Sequence, residues 1–488
     1  MRQVSPMEWS LLLLESPRTP FHLCTLVVFD APPGAAPDFA RQLHQRLQSH
    51  TRAAAPFNFQ LAEQGAPVRA TPAWREIEHI KPDYHLPYVV LAEPRPACLH
   101  EQLARLEAAP LDRSHPLWQC VFIDGLGGGR FAWFIKLHEC LLDVLHGLKR
   151  FTAGFSAEAS DREARPFWTQ AAHEARHAAG IRLPGLSKRL AQQVQALSSG
   201  YGSLGAAIAR SALLARQTLQ EDAPAIPAVP PGTADRHDCS GRMLRTYTLS
   251  EANLARLCAA AGAGSDSVLL AILGGAVRRH LLANGALPAQ TLTACVPVDV
   301  ARLGRSDLEF RLSAMVLPLA TDLDDAAARL SRIAAAEAEA RRRLCEMPLR
   351  NLETYTGRLL LPFIVRELSY DDDVPPLANL SYTRLPSVAG PCHFGLARAV
   401  ETYQLPSLLD GQFLGAGVLK FVGQYCLSLL TCTARADDAD ALVAALSESC
   451  EELAEALQVS WEDGGADAPH AGQAGARSES ARGTTTAG

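Results

Sequence analysis

A chain of 488 residues is too long for one ordinary core, so two domains are the expectation. Its 48% hydrophobic and 20% charged residues are globular values and exclude a wholly disordered or fibrous protein. A net charge of −6 argues against a nucleic-acid footprint, so no nucleic acid is expected as a partner. No apolar run reaches the roughly 18 residues that span a bilayer; Ser267 to Val277 is among the longest. Met1 to Glu15 carries no small-residue cleavage site, so no signal peptide is expected. The twelve cysteines are scattered singly from Cys24 to Cys450 with no CxxC pair. That pattern suits reduced thiols in a cytoplasmic protein better than a zinc ribbon or a redox motif.

In chain order, residues 1–156 read as a first domain. Strand-like runs at His22–Phe29, Tyr88–Ala92, Gln119–Asp124 and Arg130–His138 alternate with helical stretches such as Phe39–Leu47. Gly125-Leu-Gly-Gly-Gly129 joins two of those strands and suits a tight hairpin. A phosphate loop would need Lys-Ser/Thr and a helix after it, and neither is expected here. Residues 157–235 read as an Ala-rich helical connector that ends in a Pro-rich linker. Between Arg176 and Arg216 there are six Lys/Arg and no Asp or Glu. That stretch suits either a connector packed across two domains or a basic helix on an anionic membrane surface. Residues 236–460 read as a second domain, with strands at Leu244–Leu249, Leu292–Val296, Ser313–Leu319 and Leu414–Phe421. Its helices are expected at Glu251–Ala261, Ser267–Ala283, Ala326–Arg343 and Asp437–Gln458. Residues 461–488 hold almost nothing large and apolar, so they read as a disordered tail.

Three constellations are chemically suggestive. His173-Glu-Ala-Arg-His177 matches HExxH, with two imidazoles one helical turn apart and Glu174 as base. A third ligand is needed, and Gly180 to Leu219 holds no His, Asp or Glu. Asp371-Asp-Asp373 clusters carboxylates, yet the following Val-Pro-Pro marks a solvated loop. No metal is therefore expected at either. The third runs from Phe131 to Gly147: an apolar strand presents His138 and Glu139 at its end, with Asp143 four residues on. Strand ends are where a rigid scaffold presents reactive groups, and also where ordinary strands turn polar.

That third segment resembles the HHxxxDG region of the bacterial wax ester synthase/diacylglycerol acyltransferase family. Ser5-Pro-Met-Glu-Trp-Ser to Phe21-His22 is similar to the family's N-terminal signature, and Pro110-Leu-Asp-Arg-Ser-His-Pro-Leu-Trp118 to its PLDRSRPLW box. Val296-Pro-Val298, Ser313 to Asp322, and Pro406-Ser-Leu-Leu-Asp-Gly-Gln412 extend the likeness to about residue 460. The resemblance implies an α/β (α+β) two-domain, CoA-dependent acyltransferase-like fold with an interdomain tunnel. It implies acyl-CoA as co-substrate, no other cofactor, and a diacylglycerol or long-chain alcohol as acceptor. It also implies a cytoplasmic protein, peripheral on the inner membrane or on lipid inclusions.

In the family the second His of the motif is the general base and the Asp fixes its loop. Aligned on Asp143, His138 takes the first His position, Glu139 the base position, and Val144 the place of the closing Gly. Asp266-Ser267 stands where the family has Asn-Asp, and Thr383 to Ser387 where it has Asn-Val-Pro-Gly-Pro. Two expectations follow: an O-acyltransferase that uses Glu139 as base with His138 in support, or a catalytically impaired paralogue that binds acyl-CoA or partners an active homologue.

Overall fold

The computed structural model describes residues 2–4, 8, 11–12, 15–16, 19–62, 73–141, 151–152, 154–160, 165–170, 242–299, 312–348, 351–352, 355, 359, 376–388, 390, 392–409, 411–432 and 436–461. Asp143, Val144, the HExxH match, the basic stretch, Asp371 to Asp373 and the tail beyond residue 461 lie outside them.

The elements run β1 (Arg2–Gln3), β2 (His22–Asp30), α1 (Phe39–Gln48), β3 (Phe59–Leu61), β4 (Ala73–Glu76), α2 (Pro82–His85), β5 (Tyr88–Val90), α3 (Pro96–Ala108), β6 (Trp118–Asp124) and β7 (Arg130–His138). They continue with β8 (Arg242–Ser250), α4 (Glu251–Ala261), α5 (Ser265–Ala283), β9 (Thr293–Asp299), β10 (Leu312–Pro318), α6 (Ala326–Glu346) and β11 (Leu380–Arg384). The last are β12 (Cys392–Phe394), β13 (Ala397–Leu405), β14 (Leu414–Phe421), β15 (Gln424–Cys432) and α7 (Ala436–Ala456).

Two six-stranded mixed sheets carry the architecture, one of order β12-β13-β2-β7-β6-β5 and the other β10-β9-β11-β14-β15-β8. In the first, β6 and β7 form the hairpin that the glycines demand. Gly125, Gly127, Gly128 and Gly129 all take positive φ, between +61° and +84°, which side chains with a Cβ rarely adopt. A strand, not a helix, follows them, so no phosphate-type loop forms there. The core of this half is aromatic: Trp133 lies 4.9 Å from Phe29 and 4.6 Å from Phe394, ring centre to ring centre.

The second sheet is covered by α5, which is buried continuously from Ser267 to Val277. The long apolar run in the sequence is therefore a core helix. No single helix among the described residues is long and apolar enough to cross a membrane. Helix α4 stops at Gly262, whose φ of +60° gives the left-handed turn that ends many helices. Asp325 caps α6 by accepting the Ala328 N–H.

Residues 392–405 belong by sequence to the second half but complete the first sheet. β13 pairs antiparallel with β2, from Arg398 opposite Asp30 to Leu405 opposite Cys24. To reach that edge, β13 crosses very close to β14. A Cβ on Gly417 would sit 2.0 Å from the Gln404 carbonyl oxygen, and one on Gly415 would sit 2.9 Å from the Pro406 ring. Only glycine permits that approach.

The halves also meet where α3 lies on β8. Arg242 Nη1 is 2.5 Å from both carboxylate oxygens of Glu107, and their side chains are 1% and 3% exposed. His100 Nε2 and Thr246 Oγ1 hydrogen-bond 3.1 Å apart in the same contact. Glu107→Ala is expected to cost about 3–5 kcal/mol, because it removes the carboxylate from a guanidinium that stays buried. Urea unfolding checks this. The double replacement Glu107→Leu with Arg242→Met should recover most of the loss, since it removes both charges. A single variant as stable as wild type would mean that the pair carries no weight.

Candidate active site

Three strand termini converge at one end of the first sheet: the end of β7, the start of β2, and the chain leaving β13. The register sets His22 opposite His138, and Leu405 opposite Cys24. The sequence places His138 and Glu139 together; the fold adds Phe21, His22 and Ser407 to them.

Glu139 is the first residue beyond β7. Its N–H donates to the Phe21 carbonyl at 2.9 Å. Phe21 holds φ at +49°, an unfavourable conformation for a residue with a Cβ. Its ring stays buried with Cys295, Ala314, Leu377 and Ala378 of the second half, and that packing holds the backbone in place. Ser407 Oγ lies 3.1 Å from Glu139 Oε1 and 3.2 Å from the His22 carbonyl oxygen. The Ser407 carbonyl in turn accepts from Ser381 Oγ on β11 at 3.0 Å. Glu139 is thus held through its backbone by Phe21 of the first half and through its carboxylate by Ser407 of the second.

His138 is fully buried, and its Nδ1 accepts the Cys140 N–H at 3.1 Å. A backbone N–H can only donate, so the neutral ring carries its proton on Nε2. Burial, aided by the Arg113 guanidinium, lowers its pKa to about 3, so the ring is uncharged at neutral pH. Its Nε2 has no hydrogen-bond partner among the described residues, and Glu15 Oε2 stands 4.0 Å away. Arg113, from the Pro110–Trp118 box, binds Glu15 and the Leu12 carbonyl, and so ties the N-terminal signature to the strand end. By accepting the Cys140 N–H, His138 ties down the turn after Glu139.

His22 turns its Nδ1 toward the Glu107 carbonyl at 3.2 Å, and burial first, then Lys136, lowers its pKa well below the usual value. Lys136 is itself buried. Its Nζ donates to the Leu106 carbonyl at 2.7 Å and to that of Ala109, at the C-terminal end of α3 where cations are favoured. A cleft lined by Leu26, Val28, Leu99, Thr246, Glu401 and Tyr403 opens further along β2. Leu26 and Val28 share the strand face of His22.

The other two departures from the family pattern meet each other. Arg384 Nη1 lies 2.7 Å from Asp266 Oδ1, and Tyr382 donates to the same oxygen at 3.1 Å. Arg341 stands 3.6 Å from Asp266 Oδ2. The altered N-terminus of α5 and the altered end of β11 are thus joined by an ion pair.

Sequence reasoning did not reach Ser407, Glu107, Arg242 or Lys136 as parts of this region. Ser407 lay within a box already set apart, Pro406 to Gln412, yet nothing local connects it to Glu139. Asp143, expected to fix the loop, lies outside the described residues.

Two intertwined sheets with an ionisable pair at a strand end define an acyltransferase-type fold, and comparison with known proteins specifies it. Residues 4–268 match the wax ester synthase/diacylglycerol acyltransferase catalytic domain, and residues 311–454 the WS/DGAT C-terminal domain. A putative diacylglycerol O-acyltransferase of Mycobacterium tuberculosis is 30% identical over 437 residues, 88% of this chain and 94% of that protein. The O-acyltransferase WSD of Acinetobacter baylyi is 25% identical over 88% of this chain and 92% of that protein. Among solved structures, the wax ester synthase/diacylglycerol acyltransferase from Marinobacter aquaeolei VT8 superposes with a TM-score of 0.72 at 21% identity, covering 94% of this chain and all of that one. The starter condensation domain of rhizomide synthetase, solved with C8-CoA, shares the fold at a TM-score of 0.51 and 14% identity, over 93% of this chain and 95% of that one. The chain belongs to the wax ester synthase/diacylglycerol acyltransferase family.

Proposed function

We propose that this chain transfers a fatty acyl group from acyl-CoA to the hydroxyl of a diacylglycerol or long-chain alcohol, with Glu139 as the general base. The observation that carries the reading is the placement of the Glu139 carboxylate. Its residue stands at the family's base position; the Phe21 carbonyl accepts the Glu139 N–H, and the Ser407 hydroxyl meets the carboxylate. The names of the relatives support the substrate classes, and a related fold solved with C8-CoA supports the donor.

In the reaction, Glu139 removes the acceptor's hydroxyl proton as its oxygen attacks the thioester carbonyl. A C–O bond forms, and a tetrahedral oxyanion carries the charge. Collapse breaks the C–S bond, and the CoA thiolate takes the proton back from Glu139. An ordinary carboxyl near pKa 4.3 is about two units less basic than an imidazole near 6.5, a deficit of about 3 kcal/mol in driving force. A carboxylate positioned by the Ser407 hydroxyl offsets part of that deficit through orientation. His138 serves by holding the turn, and Asp143 is assigned the loop-fixing role of the family's Asp. The reaction needs no cofactor beyond acyl-CoA, and the lipid acceptors place the protein at a membrane or lipid-inclusion surface, bound peripherally.

Purified protein supplied with palmitoyl-CoA and either hexadecanol or diolein should form the ester and release CoA only when the acceptor is present. CoA release that ignores the acceptor would make the chain a thioesterase. Bound acyl-CoA with no turnover toward either acceptor would make it a binding protein, and would sink the proposal.

A further inference from the structure

Ser407 has one hydroxyl proton and two acceptors at nearly equal distance: Glu139 Oε1 at 3.1 Å and the His22 carbonyl oxygen at 3.2 Å. It can donate to only one of them at a time. Both distances exceed the usual optimum for O–H···O contacts, as expected of an oxygen placed to serve either side. Its backbone is anchored independently, by the Ser381 hydroxyl on its carbonyl and by the Pro406 ring seated against Gly415.

We propose that Ser407 is a positioning residue that keeps Glu139 aimed in both of its protonation states, by turning one hydroxyl proton between the carboxylate and the His22 carbonyl. This rests on Glu139 being the base. While Glu139 is a carboxylate, the Ser407 O–H donates to Oε1. Once Glu139 has taken the acceptor's proton, its new O–H donates to Ser407 Oγ, and the Ser407 O–H turns to the His22 carbonyl. No proton leaves Ser407; its hydroxyl only rotates. The thiolate then withdraws the proton from Glu139, and the hydroxyl turns back.

The arrangement answers a weakness of glutamate as a base. An imidazole on a short stem is aimed by its ring, whereas a carboxyl on a longer chain loses an aiming contact if a hydrogen bond fails on protonation. Here the bond reverses direction instead. The His22 carbonyl is a fixed receiver, because His22 pairs with His138 across β2 and β7 and the β13 pairing begins two residues on, at Cys24. Other ionisable groups surround the pair: His138 and Lys136 on β7, His22 and Cys24 on β2, Glu107 on α3 with Arg242 on β8, and Glu15 with Arg113 beside His138. Those groups remain in a Ser407 variant, so a change in the carboxyl stretches on its substitution reports the hydroxyl itself.

The test compares wild type, Ser407→Ala, Ser407→Thr and Glu139→Gln in two measurements. One is the pH profile of acyl transfer. The other is the pH dependence of the Glu139 carboxyl stretch by difference infrared spectroscopy against Glu139→Gln, which needs no turnover. Ser407→Ala should lower kcat about tenfold, the scale of one charge-assisted hydrogen bond, with KM for acyl-CoA unchanged. It should shift the infrared carboxylate stretch and the protonated carboxyl stretch alike, since each form of Glu139 loses its Ser407 partner. Ser407→Thr, which keeps the hydroxyl, should restore both. If Glu139→Gln abolishes transfer while Ser407→Ala matches wild type in rate and in both carboxyl stretches, the Ser407 proposal falls and the base assignment stands. If Glu139→Gln retains full transfer, the base assignment falls and takes this proposal with it. Carboxylate and protonated carboxyl stretches that are both unmoved by Ser407→Ala overturn the proposal whether or not the chain turns over.

Discussion

Glu139→Gln is expected to lower acyl transfer by about 10²–10⁴-fold, the range set by loss of a positioned general base. The replacement keeps the side chain's length and shape and leaves an oxygen to accept from Ser407, but it cannot take a proton. The loss should appear in kcat with little change in KM for acyl-CoA, because proton removal belongs to the transition state and not to donor binding. Unfolding by urea should change little, since Phe21 holds the backbone N–H of residue 139, not its side chain. Glu139→His is the informative companion. An imidazole at this position is the better base near neutral pH, but it enters a site whose hydroxyl partner is placed for a carboxylate. A Gln variant with wild-type turnover would remove Glu139 from the chemistry altogether.

The second large effect is on stability in mild acid. Burial holds four histidines neutral in the folded chain. His85 and His138 are lowered to about 3, His100 to about 4, and His22 well below its ordinary value. In the unfolded chain each titrates near 6.5. The unfolded state therefore binds more protons than the folded state between about pH 6.5 and the depressed values. Stability from these rings is complete above about pH 6.5 and drains away as pH falls toward 4 and then 3. Each ring withdraws about 1.4 kcal/mol per pH unit inside that window. Urea midpoints measured at about pH 7.5 and about pH 5 should fall steeply together with the histidine protonation of the unfolded chain. Equal midpoints at the two values would show that these rings are charged in the folded protein or reached by water.

Much of the scaffold is legible in the sequence because strand and helix periods are local. Strand β7 runs from Arg130 to His138 as expected, bounded by a glycine hairpin before it and a polar residue after it. Helix α4 keeps its expected limits, and α5, α6 and α7 differ from expectation by a few residues at their ends. Helix α3 escaped notice because its buried face carries Glu107 and His100, which read as surface residues until Arg242 and Thr246 are seen opposite them. Lys136 misleads in the same way, since its charge is met by helix-end carbonyls and not by water. The candidate site was half legible. Glu139 and His138 follow from one strand end, whereas Ser407, 268 positions from Glu139, reaches it only because β13 crosses to the first sheet. The turn at Phe21 was equally hidden, for nothing in a phenylalanine announces a positive φ.

The strand exchange also bears on how the protein is made. A ribosome releases β2, β7, β6 and β5 long before it releases β12 and β13, so the nascent first sheet waits with the free edge of β2 uncovered until residue 405 has emerged. Such an edge is a template for wrong pairing, which favours escort by a chaperone during synthesis. It also means that the grip of Ser407 on Glu139 cannot exist in any fragment that stops before β13. Function is withheld until the chain is nearly finished, and the two halves are best thought of as maturing together.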